Sequence, residues 1–287
     1  MWRCVEWCTS RPAARPPRHF FFDCYLRGID NDWEQKTPKV RWDALQFGDR
    51  PATHDIVLED FPVPGTEYRE LFASSNGRLG DKPPPAAETV TYNSEDRQSR
   101  VEFTHTFSEP SRLIGLPKAI LYMSCDTRDD FTVFVILRKK DRDGKDLIHM
   151  NFPVDATPIK SIAEIPQKQQ HSVNLHMGQM GILRASHREI DASKNIHPQF
   201  PFHPHGREQK VPRGTVVKLE IGIWAMGVDF DAGESISLQV GGQYPSLSEF
   251  ANWSEPRPEH ELNRGQHKVH FGGEYPSSLI LPYIGKP

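Results

Sequence analysis

From Val40 onward, apolar side chains recur at every second position, in short runs broken by proline- and glycine-bearing stretches. Val101, Phe103, His105 and Phe107 alternate with Glu102, Thr104 and Thr106, and Ile236, Leu238 and Val240 alternate with Ser235, Ser237 and Gln239. Successive side chains of a strand point to opposite faces, so each run makes one buried face and one wet face. Residues 131–137, FTVFVIL, are apolar on both faces. They predict a central strand covered on both sides, and the DRDG sequence at 141–144 is the turn that ends its region. Further strands are expected at 120–125, 216–224, 267–271 and 279–284. The 25 prolines and 20 glycines break the chain into short elements and argue against a helical bundle, because proline removes a backbone donor and clashes with the preceding turn.

Three long polar connections, at 151–179, 191–212 and 244–265, separate these strands. Long connections between strands fit a Greek-key or jelly-roll sandwich better than a meander. The expected fold class is therefore all-β: a jelly-roll β-sandwich of the galactose-binding-domain-like kind, preceded by one short helix. No repeat of fixed period is present, and 287 residues are compatible with one large β domain.

The helix is expected within FFFDCYLRGIDNDW, residues 20–33. Phe20, Phe21, Tyr25 and Leu26 fall on one face, and Gly28 is its C-terminal stop. So short a helix is marginal in water, and three consecutive exposed phenylalanines would form a sticky patch. It needs a surface to pack on, either the β body or another domain. The expected boundaries are 1–18 for a basic, proline-rich leader without fixed structure, 19–35 for the helix and 36–287 for the sandwich.

A formal net charge of −3 gives no drive towards nucleic acid or an anionic membrane. No apolar run is long enough to span a bilayer. The leader lacks the apolar core of a secretory signal, and its prolines oppose an amphipathic presequence helix. Three of the four cysteines (Cys4, Cys8 and Cys24, with Cys125 the fourth) lie in the first 24 residues. That is no disulfide framework for a β body and no zinc spacing. Reduced thiols and a cytoplasmic location are expected.

No G-x-S-x-G elbow occurs. Ser186 and His187 are adjacent, and adjacent strand residues face opposite ways, so they cannot act as nucleophile and base. Arg184, Ser186, His187, Arg188 and Glu189 are expected to form a polar network that fixes a loop. His197, His203 and His205 would suit a transition metal, but Pro198, Pro201 and Pro204 enforce extended backbone and favour a structural loop. His267 and His270, three apart on a strand, face opposite ways. Asp126, Asp129 and Asp130 lack the ligand spacing of a calcium loop. Asn252-Trp253-Ser254 is a glycosylation sequon. Trp33, Trp42, Trp224 and Trp253 are potential sugar platforms; Trp224, within a strand, is expected in the core, which leaves Trp253 as the exposed candidate. No residue is assigned a catalytic, cofactor-binding or metal-binding role, and no cofactor is expected.

Six segments in order carry a resemblance: FFDCYLRGIDNDWE (21–34), FPVPGTEYRELF (61–72), GILRASHREID (181–191), PFHPHGREQKVPRGTVV (201–217), WAMGVDFDAGESISLQVGG (224–242) and HKVHFGGEYPSSLILPYI (267–284). Together they resemble the C-terminal part of the X-Pro dipeptidyl-peptidase and cocaine-esterase-like hydrolases, the CocE/NonD family. The resemblance implies an α/β-hydrolase domain, a helical cap and a C-terminal jelly roll, with ester or amide hydrolysis by a Ser–His–Asp triad. It places the helix of residues 21–30 at the end of the hydrolase domain and the triad upstream, where this chain has only residues 1–19. The expected function is thus the sandwich domain of a dipeptidyl-peptidase- or esterase-like serine hydrolase, inactive alone, partnered by an α/β-hydrolase domain or a second copy. A stand-alone carbohydrate-binding module is the alternative, and a truncated gene product is a third reading.

Overall fold

Strand structure begins where the alternation begins. In the computed structural model, which describes residues 18–152, 158–166, 170, 175–245 and 263–285, two helical pieces, α1 (Arg18–Arg27) and α2 (Trp33–Lys36), precede the strands. These are β1 (Val40–Ala44), β2 (Thr53–Leu58), β3 (Glu67–Ala73), β4 (Leu79–Gly80), β5 (Glu88–Asn93), β6 (Arg100–Thr106), β7 (Ser111–Gly115), β8 (Lys118–Cys125) and β9 (Thr132–Lys140). They continue as β10 (His149–Met150), β11 (Leu175–His176), β12 (Gln179–Arg184), β13 (Val217–Gly222), β14 (Met226–Phe230), β15 (Ser235–Gly241), β16 (Gln266–Phe271) and β17 (Ser278–Tyr283). The stretch expected as one helix over 19–35 is divided at Gly28, whose left-handed backbone (φ 66°) lets Ile29 N–H donate to Asp23 O at 3.0 Å and closes α1.

Two antiparallel sheets face each other. The smaller has the order β12-β9-β15-β6; the larger runs β14-β7-β17-β8-β16-β5, with β13 on the other edge of β8 and β3–β4 on β17. The inner faces supply one core. Leu121, Met123, Leu219, Ile221, Val269, Phe271, Leu279 and Leu281 of the large sheet meet Phe103, Val133, Val135, Leu137, Leu238 and Val240 of the small one. Each such side chain contributes roughly 1.5–3 kcal/mol of burial. β9 is covered on its outer face too, where Ile136 packs with Met150, Ile165, Leu175 and Met177 in a second cluster. That is why residues 131–137 carry apolar side chains on both faces.

The connection at 191–212 is a strap across the outer face of the large sheet. Gly222 leaves room for it: a Cβ there would stand 3.1 Å from the Phe200 ring and 3.3 Å from Pro201. Lys118 Nζ donates to Pro198 O, His197 packs on Tyr68, and His203 reaches Glu220 O at 3.1 Å.

The β1–β2 hairpin is joined to the edge of the large sheet. Leu45 pairs in parallel with Val228; Leu45 N–H donates to Gly227 O and Asp229 N–H to Leu45 O. Asp229 takes a bidentate pair from Arg112 at 2.6 and 2.7 Å and accepts from Gln46 and Thr53 of the hairpin. Gly227 is required by shape: a Cβ would lie 1.9 Å from Trp42 Nε1 and 2.9 Å from Asp43 O. Gly227→Ala is therefore expected to lift the hairpin, at a cost of about 1–3 kcal/mol. Amide hydrogen exchange checks it: protection falls at Leu45 and Asp229 and holds at Val135 in the core. Unchanged protection at Leu45 would refute this account of the joint.

Candidate functional site

The hairpin carries the N-terminal arm. Phe21 lies at the centre of the arm, with its ring 4.9 Å from Tyr25 and 5.6 Å from Trp33. Asn31 Nδ2 donates to Phe20 O, and Tyr25 Oη donates to Glu34 at 2.9 Å. These contacts fold α1 onto α2, and neither helix packs extensively on a strand. As a result Phe20, Phe21, Phe22, Tyr25, Leu26 and Ile29 are all exposed, Leu26 by 75%. Six large apolar side chains within ten residues form a patch of the kind that marks an interaction surface.

The candidates for chemistry resolve into supports. β12 ends at Arg184, and Ala185–His187 form a 3-10 turn, so Ser186 and His187 are not on a strand as the sequence suggested. Ser186 is fully buried, and its hydroxyl donates to Asp130 Oδ2 at 2.8 Å rather than to an imidazole. Asp130 also accepts from Ser186 N–H and from Arg184 Nε at 2.6 Å. Burial opposes its charge, but the hydrogen bonds from Ser186 and Arg184 outweigh burial and hold its carboxyl below the usual range. Arg188 donates to Ala185 O and Gln209 O, while Glu189 takes Arg207 and Gln209. Arg184, Ser186, Arg188 and Glu189 thus form the expected polar network, bracing the turn after β12 against residues 207–210, whereas His187 packs on the His205 ring with its Nδ1 buried outside that network.

A hydroxyl–imidazole pair does occur between residues far apart in the chain. Ser124 Oγ and His270 Nε2 are 2.8 Å apart across β8 and β16, and His270 Nδ1 meets Thr89 Oγ1 at 2.9 Å. The third group is a hydroxyl, not a carboxylate bonded to the ring, and the nearby Asp126 charge, which favours an imidazolium, is outweighed. Burial and then the Lys268 charge push the His270 imidazole below its usual value, and Ser124 is only 1% exposed. A sealed hydroxyl reaches no substrate. His267 lies on the inner face against Tyr92, opposite to His270, as their spacing requires.

Both nitrogens of His203 meet backbone carbonyls, of Glu189 and Glu220, which leaves none for a metal. His197 Nδ1 accepts from Gln199 N–H. Among the described residues no group of three His, Cys, Asp or Glu side chains is arranged to hold a metal. The three aspartates diverge: Asp126 pairs with Lys268, Asp129 offers its carbonyl to Val211 N–H, and Asp130 braces Ser186.

Of the tryptophans, Trp33 packs on Phe21 and Trp42 stacks on Phe61. Trp224 is a correction: β13 ends at Gly222, two residues short, and the indole is 74% exposed rather than in the core. The apolar run VVKLEIGIW hid this break because Ile223 is still buried. Trp253 and Asn252 lie outside the described residues, as do Cys4 and Cys8; Cys24 and Cys125 are free thiols. A polar cleft of about 660 Å³ opens over the small sheet between residues 76–79 and 140–144. Its Lys140 is tied to Glu102 and Asp146. No helix among the described residues is long and apolar enough to cross a membrane.

A family model described as the X-Pro dipeptidyl-peptidase C-terminal non-catalytic domain matches residues 31–280. A CocE/NonD family hydrolase from Staphylococcus aureus is similar in structure, with a TM-score of 0.76 and 30% identity over 93% of this chain and 45% of that one. An aminopeptidase from a marine sediment archaeon, Thaumarchaeota archaeon, gives a TM-score of 0.58 at 17% identity, over 92% of this chain and 43% of that one. An α-amino acid ester hydrolase gives 0.57 at 16%, with the same coverages; at these identities the likeness is one of fold. This chain spans less than half the length of each of the three. No curated protein matches the sequence.

Proposed function

The chain belongs to the family of X-Pro dipeptidyl-peptidase C-terminal non-catalytic domains, and from that premise we propose that it serves as the sandwich portion of a dipeptidyl-peptidase- or esterase-like serine hydrolase, without catalytic activity of its own. The observation that carries this reading is the exposed aromatic face of α1. A ten-residue helix with three phenylalanines in water is stable only against another surface, and among the described residues α1 packs chiefly on α2 and not extensively on any strand. An α/β-hydrolase domain bearing a Ser–His–Asp triad is the proposed partner, covering α1 and supplying the nucleophile. The sandwich then contributes stability and one wall of the substrate cleft.

Two assays on the chain alone test this. A fluorophosphonate probe is expected to label no serine, and p-nitrophenyl acetate is expected to turn over no faster than with the Ser124→Ala and Ser186→Ala variants. Stoichiometric labelling of one serine, with turnover lost on its replacement, would overturn the proposal.

A further inference from the structure

The exposed Trp224 does not stand alone. Its backbone N–H donates to Met180 O at 3.0 Å, which seats it beside β12. On β12, Ile182 is 59% exposed and lies directly opposite Phe134 of β9; the Phe134 ring in turn meets exposed Tyr244 edge-on at 6.3 Å. Trp224, Ile182, Phe134 and Tyr244 are therefore apolar neighbours along the edge of the small sheet, beside Met180, whose side chain packs against the second cluster. Large apolar side chains exposed side by side are typical of a contact face, and tryptophan is among the side chains enriched as anchors in such faces.

The position of the band says what covers it. β1 runs parallel to β14, with Leu45 against Val228 and Trp42 against Gly227. The start of β1, where the α1–α2 arm joins the sandwich, thus points to the end of β14 that Trp224 precedes. The arm therefore leaves the sandwich at the rim that Trp224 occupies. The S. aureus relative has more than half of its chain beyond the part that matches, which is ample to reach both surfaces.

We infer that the Trp224–Ile182–Phe134 band is a second docking face for the same catalytic α/β domain that covers α1, with the Trp224 indole as its anchor. This rests on the proposed function above, and it adds a two-point attachment: the arm fixes one end of the joint, and the indole fixes the sandwich against rotation about it.

Hydroxyl-radical footprinting tests it. The full chain is compared with a chimera in which residues 20–287 replace the matching portion of the S. aureus hydrolase. Oxidation of Trp224 and Ile182 is expected to drop at least about fivefold in the chimera, together with that of Phe20–Phe22, because a desolvated anchor is closed to solvent. Protection of the phenylalanines with Trp224 still labelled overturns the second face and leaves the proposed function standing. No protection at either place overturns both. Protection of Trp224 in the isolated chain that grows with its concentration assigns the band to a second copy and also overturns the inference. Trp224→Ala in the full chain needs no chimera. Its thermal midpoint is expected to stay within about 2 °C, and a larger drop means that the indole is held within this chain and not kept for a partner.

Discussion

Lys139→Met is expected to lower the unfolding free energy by about 3–5 kcal/mol, the usual cost of removing one partner from a buried ion pair. Lys139 is on the inner row of β9, continuing Val133, Val135 and Leu137 past the end of the apolar core, and is 2% exposed. Its ammonium donates to Gln46 O at 2.8 Å and Asp229 O at 2.7 Å, pairs with Glu234 at 2.7 Å and lies over the Phe230 ring at 5.2 Å. Burial pulls its pKa below the usual lysine value, and Glu234 pulls it back. Methionine fills the same volume but leaves two carbonyls without a donor and Glu234 with the Asp231 N–H and one cation, Arg50, which is itself half exposed. One of those carbonyls belongs to Gln46, so the hairpin loosens as the sandwich weakens. Urea unfolding followed by fluorescence measures the loss. Lys139→Met combined with Glu234→Gln should recover part of it, because the uncompensated carboxylate is gone. A single-variant loss below about 1 kcal/mol, the range of ordinary surface changes, would sink this account.

The strand alternation was enough to read the sandwich. Ile236, Leu238 and Val240 alternate with their polar neighbours as period two requires, but Ser235, Ser237 and Gln239 are buried too rather than wet, because β15 lies between β6 and β9; residues 131–137 form a strand covered on both faces because their apolar residues come in two sets. α1 was legible from Phe20–Tyr25 and Gly28. Other features depend on neighbours distant in sequence. Nothing near Lys139 says that a lysine beside Arg138 and Lys140 turns inward; Gln46, Asp229 and Glu234 decide it, and they lie about ninety residues away on either side. Ser124 and His270 meet through strand register. Trp224 misled because Ile221 and Ile223 are both buried, so the apolar pattern runs on through a chain that has already left the sheet. The bonds of Gly227 with Leu45, and the room it leaves for Trp42, likewise appear only once β1 is placed on β14.

Asp130→Ala is expected to cost about 3–5 kcal/mol, because it strips a buried carboxylate of its role while leaving its donors in place. Asp130 is 1% exposed and answers five groups: Ser186 N–H and Oγ–H, Arg184 Nε, Phe131 N–H and, more distantly at 3.5 Å, Lys210 Nζ. Ser186 is sealed from water, so its hydroxyl and amide would find no replacement. Arg184, at 41% side-chain exposure, recovers solvent and keeps Glu208. The loss should therefore fall chiefly on the turn after β12 and on residues 207–210. The pH dependence separates charge from shape. The folded pKa of Asp130 lies below its unfolded value of about 3.9, so the unfolded chain takes up the proton first as pH falls. The stabilisation is then fully present above about pH 5 and is lost progressively as pH falls through the folded pKa. The gap between wild type and Asp130→Ala should accordingly be widest at neutral pH and shrink below pH 4. Urea midpoints at pH 7 and pH 3 measure it; an equal gap at both would mean that the carboxylate acts by filling space, and that the RASHRE brace does not depend on its charge.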